Sequence, residues 1–154
     1  MRRREPYNTE SEHMLSKTKS SSAGAKTKNF QKGRYGESLA LSYLQNKGYI
    51  HIQSNFHTRF GEIDLIMSCT GDPACPPLEG CRPTLIFIEV KYKSPSSPGI
   101  PEQMISRKKI NQILRTAQSF LSQNPQLAKD FPSYRIDAIC IVGSIIKHYQ
   151  NITL

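Results

Sequence analysis

Gly61-Glu62-Ile63-Asp64-Leu65-Ile66-Met67 and, after a loop, Leu85-Ile86-Phe87-Ile88-Glu89-Val90-Lys91 are the two stretches whose reading decides the fold. In the first, the two-residue period of a strand sets Glu62 and Asp64 on one face and Ile63, Leu65 and Met67 on the other. In the second, alternation sends Ile86, Ile88 and Val90 one way and Phe87, Glu89 and Lys91 the other. Both read as strands with charge on an otherwise apolar frame. Taking such charges out of water is costly unless something offsets them, and a bound cation is one partner that does. A Glu-x-Lys pair alone can be a surface ion pair, worth at most about 1 kcal/mol. The Asp on the neighbouring strand, preceded by Gly-Glu-Ile, is what turns the pair into a candidate site.

Working outward, residues 34–47 read as a helix closed by Gly48, a suitable C-terminal cap. Tyr35, Leu39, Ala40, Tyr43 and Leu44 sweep its apolar arc, and Glu37 falls just beyond the Leu44 edge, where a carboxylate can reach a site on the sheet. A solvated Glu favoured by the helix dipole is the plain alternative. Residues 49–56 suit a first strand, joined as a hairpin to 61–67. Residues 69–83 carry too many Pro and Gly for a regular element, and 84–91 follow as the third strand. A Pro-rich loop at 94–101 leaves the charged end of that strand. Ile110, Ile113, Leu114, Ala117 and Leu121 then recur at helical spacing, with Pro101 allowed in the first turn. Lys109 lies in line with that stripe, so it either points toward the carboxylates and phosphate or covers core with its stem. Residues 134–142 and 145–154 read as strands about a Gly143-Ser144 turn. The order α-β-β-β-α-β-β predicts an α/β fold with a mixed sheet flanked by helices.

The chain has 154 residues, enough for one domain with a core, and 37% apolar content. Lys and Arg number 21 against 12 acidic residues, a net charge of +9, which favours a polyanionic partner, nucleic acid first among them. Residues 1–29 are basic, polar and nearly free of apolar side chains, the composition of a disordered tail, leaving 30–154 as the domain. No run approaches the ~18 apolar residues of a membrane span, and the Arg-rich start lacks a secretion signal's apolar stretch. The expectation is a cytoplasmic protein with reduced cysteines.

Gly33-Arg34-Tyr35-Gly36-Glu37, Gly61-Glu62-Ile63-Asp64-Leu65-Ile66, Phe87-Ile88-Glu89-Val90-Lys91, Lys109 with Ala117, and Arg135-Ile136-Asp137 together resemble the YraN-like family of small bacterial proteins, over essentially residues 30–154. The resemblance implies the restriction-endonuclease-like fold of the PD-(D/E)xK nuclease superfamily, similar in layout to archaeal Holliday-junction resolvases. It implies Asp64 as the motif's Asp, Glu89 as its acidic member, Lys91 as its lysine and Glu37 as the helix carboxylate. Ile63 stands where a proline often precedes the motif Asp, and the 69–83 loop is longer than the family's usual turn. A homodimer is expected by the same likeness.

On this reading the chain is a metal-dependent endonuclease acting on DNA, branched or junction DNA included. Hard oxygen ligands select Mg²⁺ or Mn²⁺. Asp64 and Glu89 are the expected metal ligands, with the Val90 carbonyl a further candidate and Glu37 binding directly or through water. Lys91 is expected to position the attacking water and offset charge on the phosphate. Lys93 and Lys109 are candidates for holding substrate, and Glu62 supports the site from the Asp64 face. Asp137 is read as structural, pairing with Arg135 or a helix terminus. Two other readings compete. One is a catalytically inactive nucleic-acid-binding protein of the same fold. The other is a zinc module on Cys69, Cys75 and Cys81, whose spacing is wider than structural zinc favours, with Cys140 left to the core. A Rossmann-type enzyme is disfavoured because no Gly-rich phosphate loop follows a strand.

Overall fold

The computed structural model describes residues 21–69, 83–95, 99, 103 and 105–153, with side chains from residue 31 onward. Alternation in the central strand, β3 (Thr84–Lys93), builds two cores at once. Ile86, Ile88 and Val90 pack with Ala40 and Leu44 of α1 (Ser21–Asn46). Leu85 and Phe87 pack on the other side with Ile113, Ala117 and Phe120 of α2 (Arg107–Gln123). A strand buried on both faces must be almost wholly apolar, and its charged residues therefore fall at one end.

The sheet has five strands in the order β1 (Ile50–Thr58), β2 (Gly61–Cys69), β3, β4 (Ser133–Val142) and β5 (Ile145–Tyr149). β3 and β4 run parallel, with the crossover made by α2 and the short α3 (Pro125–Asp130), and the other neighbours are antiparallel. The expected α/β architecture of a mixed sheet with helices on its faces is therefore present. Among the described residues no helix is long and apolar enough to cross a membrane.

Several boundaries differ from expectation, each for a local reason. α1 starts at Ser21, so part of the expected 1–29 tail is helical, in a stretch where Ala23, Ala25, Lys26 and Lys28 are good helix formers. Residues 1–20 lie outside the described residues. Gly48 closes the helix as expected, with a φ of 83° and its N–H bonded to the Gln45 carbonyl at 2.9 Å. α2 begins at Arg107 because Ser106 caps it, its hydroxyl accepting from the Lys109 N–H at 3.2 Å. Pro101 is outside the described residues. α3 was not foreseen, although Asn124-Pro125 carries its signal, a proline at the first helical position. The last strand stops at Tyr149 instead of running to the terminus. Beyond it the Asn151 N–H turns back to the Asp137 carboxylate, and the Ile152 N–H to the Ile136 carbonyl.

Asp137 is a buried hub. Its carboxylate accepts from Arg135 Nε at 3.1 and 3.2 Å and from the Asn151 N–H at 2.9 Å, and pairs with His148 Nε2 at 2.9 Å. Arg135 and Gln150 also donate to the Tyr49 hydroxyl, at 3.0 and 3.1 Å. The structural role expected for Asp137 is what the geometry provides.

One glycine sets how closely α1 approaches β3. A Cβ on Gly36 would lie 2.5 Å from the Tyr92 Cβ, next to the backbone, so helix or strand must move. Gly36→Ala gains about 1 kcal/mol of helix propensity, yet overpacking typically costs 1–3 kcal/mol. The expected outcome is a net loss of roughly 1 kcal/mol in urea denaturation. Unchanged or increased stability would mean the contact is not tight.

Candidate active site

The site sits where the sheet forks. The β2–β3 ladder runs from Cys69–Thr84 to Leu65–Ile88 and stops, while β3 stays paired with β4 as far as Lys93–Val142. Continuing that register would set Asp64 opposite Glu89. Instead Asp64 Oδ2 accepts the Val90 N–H at 2.7 Å, a side chain taking the place of a strand. The apolar alternation of β2 breaks at the same point. Leu65 and Met67 join the α1 core, whereas Ile63 joins the α2 core with Ile66. The expectation that Ile63 shares a face with Leu65 and Met67 is corrected accordingly. Across from Asp64, Asn55 adopts a left-handed φ of 54° in a gap of the β1–β2 register. Asn is among the few residues that accept this backbone.

Burial pushes the Asp64 carboxyl from 3.8 up to about 7, with the charge of Glu89 acting in the same direction. The Val90 N–H, Lys91 and Lys109 pull it back only in part. A part-buried and a buried carboxylate that repel each other need a proton or a cation between them. Glu89 is 1% exposed, and its Oε1 accepts from Lys91 Nζ. Its Oε2 lies 3.0 Å from Lys109 Nζ as an ion pair, but no aligned hydrogen bond reaches that buried oxygen. For Lys91, burial works to lower the pKa, but the charge and hydrogen bond of Glu89, with Asp64 and Glu62, outweigh it and raise it. Lys91 is therefore an ammonium at neutral pH, a donor and counter-charge and not a base.

The fork opens into a groove of about 450 Å³ whose walls include Lys32, Glu37, Glu62, Asp64, Lys91 and Lys93. A second hollow shares Glu37, Glu62 and Asp64 and adds Asn55 and His57. Glu37 Oε2 accepts from Asn55 Nδ2 at 3.1 Å. Glu62 pairs with His57 Nδ1 at 3.4 Å, both side chains being more than half exposed.

Of the residues singled out from the sequence, Asp64, Glu89, Lys91 and Lys109 are brought together, and Glu37, Glu62 and Lys93 stand on the groove wall. Lys109 turns to Glu89, the carboxylate alternative of the two weighed for it. The expected convergence of Glu37, Asp64 and Glu89 as a ready ligand set is not present. Among the described residues no three His, Cys, Asp or Glu side chains are grouped to hold a metal. The reason is local, since Glu37 is engaged by the Asn55 amide and Glu89 by two ammonium groups. Cys75 and Cys81 of the suggested zinc loop lie outside the described residues, while Cys69 and Cys140 are buried in β2 and β4. Sequence reasoning missed Asn55 and Lys32. A polar residue that tolerates positive φ inside an apolar strand was the available signal for the first, and nothing local marked the second.

The pair itself fits a hard divalent cation. Asp64 and Glu89 offer oxygen ligands, one of them a buried atom without a hydrogen bond, and their mutual repulsion is what a cation relieves.

Comparison with known proteins places this sequence in a family. Residues 36–141 match Uncharacterised protein family UPF0102. The chain belongs to UPF0102. The matched span contains Glu37, Asp64, Glu89, Lys91, Lys93 and Lys109. A UPF0102 protein of Persephonella marina is 37% identical over 120 residues, covering 78% of this chain and 90% of the relative. One of Vibrio campbellii is 37% identical over 123 residues, 79% and 90%. One of Psychromonas ingrahamii is 40% identical over 110 residues, 71% and 77%. The YraN-like resemblance read from the sequence is this same family.

Proposed function

We propose that the chain is a metal-dependent endonuclease of the restriction-endonuclease-like type, hydrolysing phosphodiester bonds in DNA, branched or junction DNA included. The single observation that carries this reading is the forked strand pair. It brings the part-buried Asp64 and the buried Glu89 together with the Lys91 ammonium, beside a groove walled by Asp64, Lys91 and further lysines. In the reaction a water oxygen bonds to phosphorus as the bond to the leaving oxygen breaks, giving a phosphate monoester and a hydroxyl. Bound Mg²⁺ or Mn²⁺ supplies a polarised phosphate and a more acidic water. Asp64 and Glu89 would hold it, and Glu37, on the groove wall, would bind it directly or through water. Lys91 donates a hydrogen bond to the water or the scissile phosphate and offsets its growing charge. Lys32 and Lys93, on the wall, hold flanking phosphates.

The test is cleavage of linear and branched DNA by the full chain with Mg²⁺ or Mn²⁺. Products should appear with either metal and vanish with EDTA. Because a proton and a cation compete for Asp64, the Mn²⁺ concentration needed for half-maximal rate should rise as pH falls below about 7. A metal requirement flat across that range would contradict the assigned ligand.

One observation favours a second reading, a nucleic-acid-binding protein without turnover. Lys91 and Lys109 both pair with Glu89 and so neutralise the site without a metal. DNA binding indifferent to EDTA and unaffected by Glu89→Ala, with no cleavage, would select it.

A further inference from the structure

A second polar groove lies away from the fork, between the β1–β2 turn and the outer face of α2. The inner face of that helix buries Ile113, Thr116, Ala117 and Phe120. Lys108, Asn111, Arg115, Gln118 and Ser122 recur every third or fourth position along the opposite, exposed face. They line two adjoining hollows of about 560 and 440 Å³ that share Phe60 and Arg115. Among the described residues no carboxylate lines either hollow, and α2 contains no acidic residue. Among the described residues Arg59, Lys108 and Arg115 form no ion pair.

Phe60 belongs to neither core, and the Arg59 guanidinium lies over its ring, 4.8 Å from the centroid. The turn that presents it is pinned. The Phe60 N–H donates to Thr58 Oγ1 at 3.1 Å, and that hydroxyl lies 3.5 Å from Thr116 Oγ1 of α2. Cations that form no ion pair among the described residues, carboxamides and an aromatic ring on a pinned turn match the phosphates, base edges and π-face of a nucleotide.

We infer that this groove binds a single-stranded segment of nucleic acid. Phe60 stacks on a base, and Arg59, Lys108 and Arg115 hold its phosphates. Only an unstacked base can bring its face and edges into a hollow, whereas a duplex would offer phosphates alone. The inference rests on the proposed action on nucleic acid, and it specifies the substrate as one that carries an unpaired strand.

The full chain in EDTA, where the proposed cleavage cannot run, is titrated into fluorescent oligothymidylate and into a duplex, with anisotropy as the readout. Phe60→Ala and Phe60→Leu, each checked for folding by circular dichroism, should weaken oligothymidylate binding about tenfold and leave duplex binding unchanged. Lys108→Ala and Arg115→Ala should each flatten the salt dependence of oligothymidylate binding by about 0.7 in log–log slope. Wild-type affinity in the Phe60 variants, or an equal loss for both forms of DNA, overturns the inference. Cleavage is scored separately with Mn²⁺. Phe60-dependent binding without cleavage sinks the nuclease reading and leaves the groove, while cleavage with Phe60-independent binding does the reverse.

Discussion

Asp64→Asn is expected to abolish cleavage while raising the thermal midpoint of the protein at pH 8. The two effects have one cause. Asp64 keeps its proton up to about pH 7 in the folded chain, against 3.8 ordinarily. Between those values the folded state binds more protons than the unfolded one, so stability falls as pH rises through this window and stays low above it. A displacement of that size corresponds to at most roughly 4 kcal/mol. Asn keeps an oxygen for the Val90 N–H and carries no charge, so it removes the penalty. At about 3–5 °C per kcal/mol, the midpoint in EDTA should rise by several degrees at pH 8 and converge with wild type near pH 4. Cleavage should fall at least about a thousandfold, because the variant lacks the charge that would hold the cation. Added Mn²⁺ should raise the wild-type midpoint at pH 8 and leave that of Asp64→Asn unchanged. A variant less stable than wild type at pH 8 would contradict the charge repulsion at the fork.

Asp137→Ala should have the largest effect on stability. The carboxylate is wholly buried and receives Arg135, His148 and the Asn151 N–H. Removing it leaves the Arg135 guanidinium half-buried with its main partner gone and releases the segment after β5. Breaking one side of a buried pair costs about 3–5 kcal/mol, a large share of a small domain's stability. Urea denaturation should show that loss, and Asp137→Asn, which retains an acceptor, should lose less. A cost below about 1 kcal/mol would show that the hub adds little.

What the sequence made legible was what a single element decides. Alternation in 85–91 identifies β3 and sends Glu89 and Lys91 to one face, because side chains in a strand point alternately whatever surrounds it. Gly48 ends α1 because its backbone angle suits few other residues there. Less legible were features decided by competition between elements. Asp64 reaches the Val90 N–H only because β3 keeps its parallel partner β4 while parting from β2, a choice made across the sheet. The left-handed turn at Asn55 and the break in alternation at Ile63 follow from that parting. The capture of Glu37 by Asn55 depends on where α1 lies against β1, which Gly36 permits through its contact with Tyr92. The periodicity of α1 placed Glu37 at the edge of its apolar arc, but not the partner it would find.

The most direct measurement is single-turnover cleavage of a linear and branched DNA panel with Mn²⁺, comparing wild type with Lys91→Ala. Lys91 is the charged donor at the fork, and because its loss leaves Glu89 Oε1 without its hydrogen bond, folding of the variant is checked by circular dichroism. Metal-dependent cleavage by wild type, lost in Lys91→Ala with DNA binding retained, is the predicted result. Cleavage that persists in the variant, or a wild type that cuts none of these substrates, would contradict the assignment of the fork as a phosphodiester-hydrolysing site.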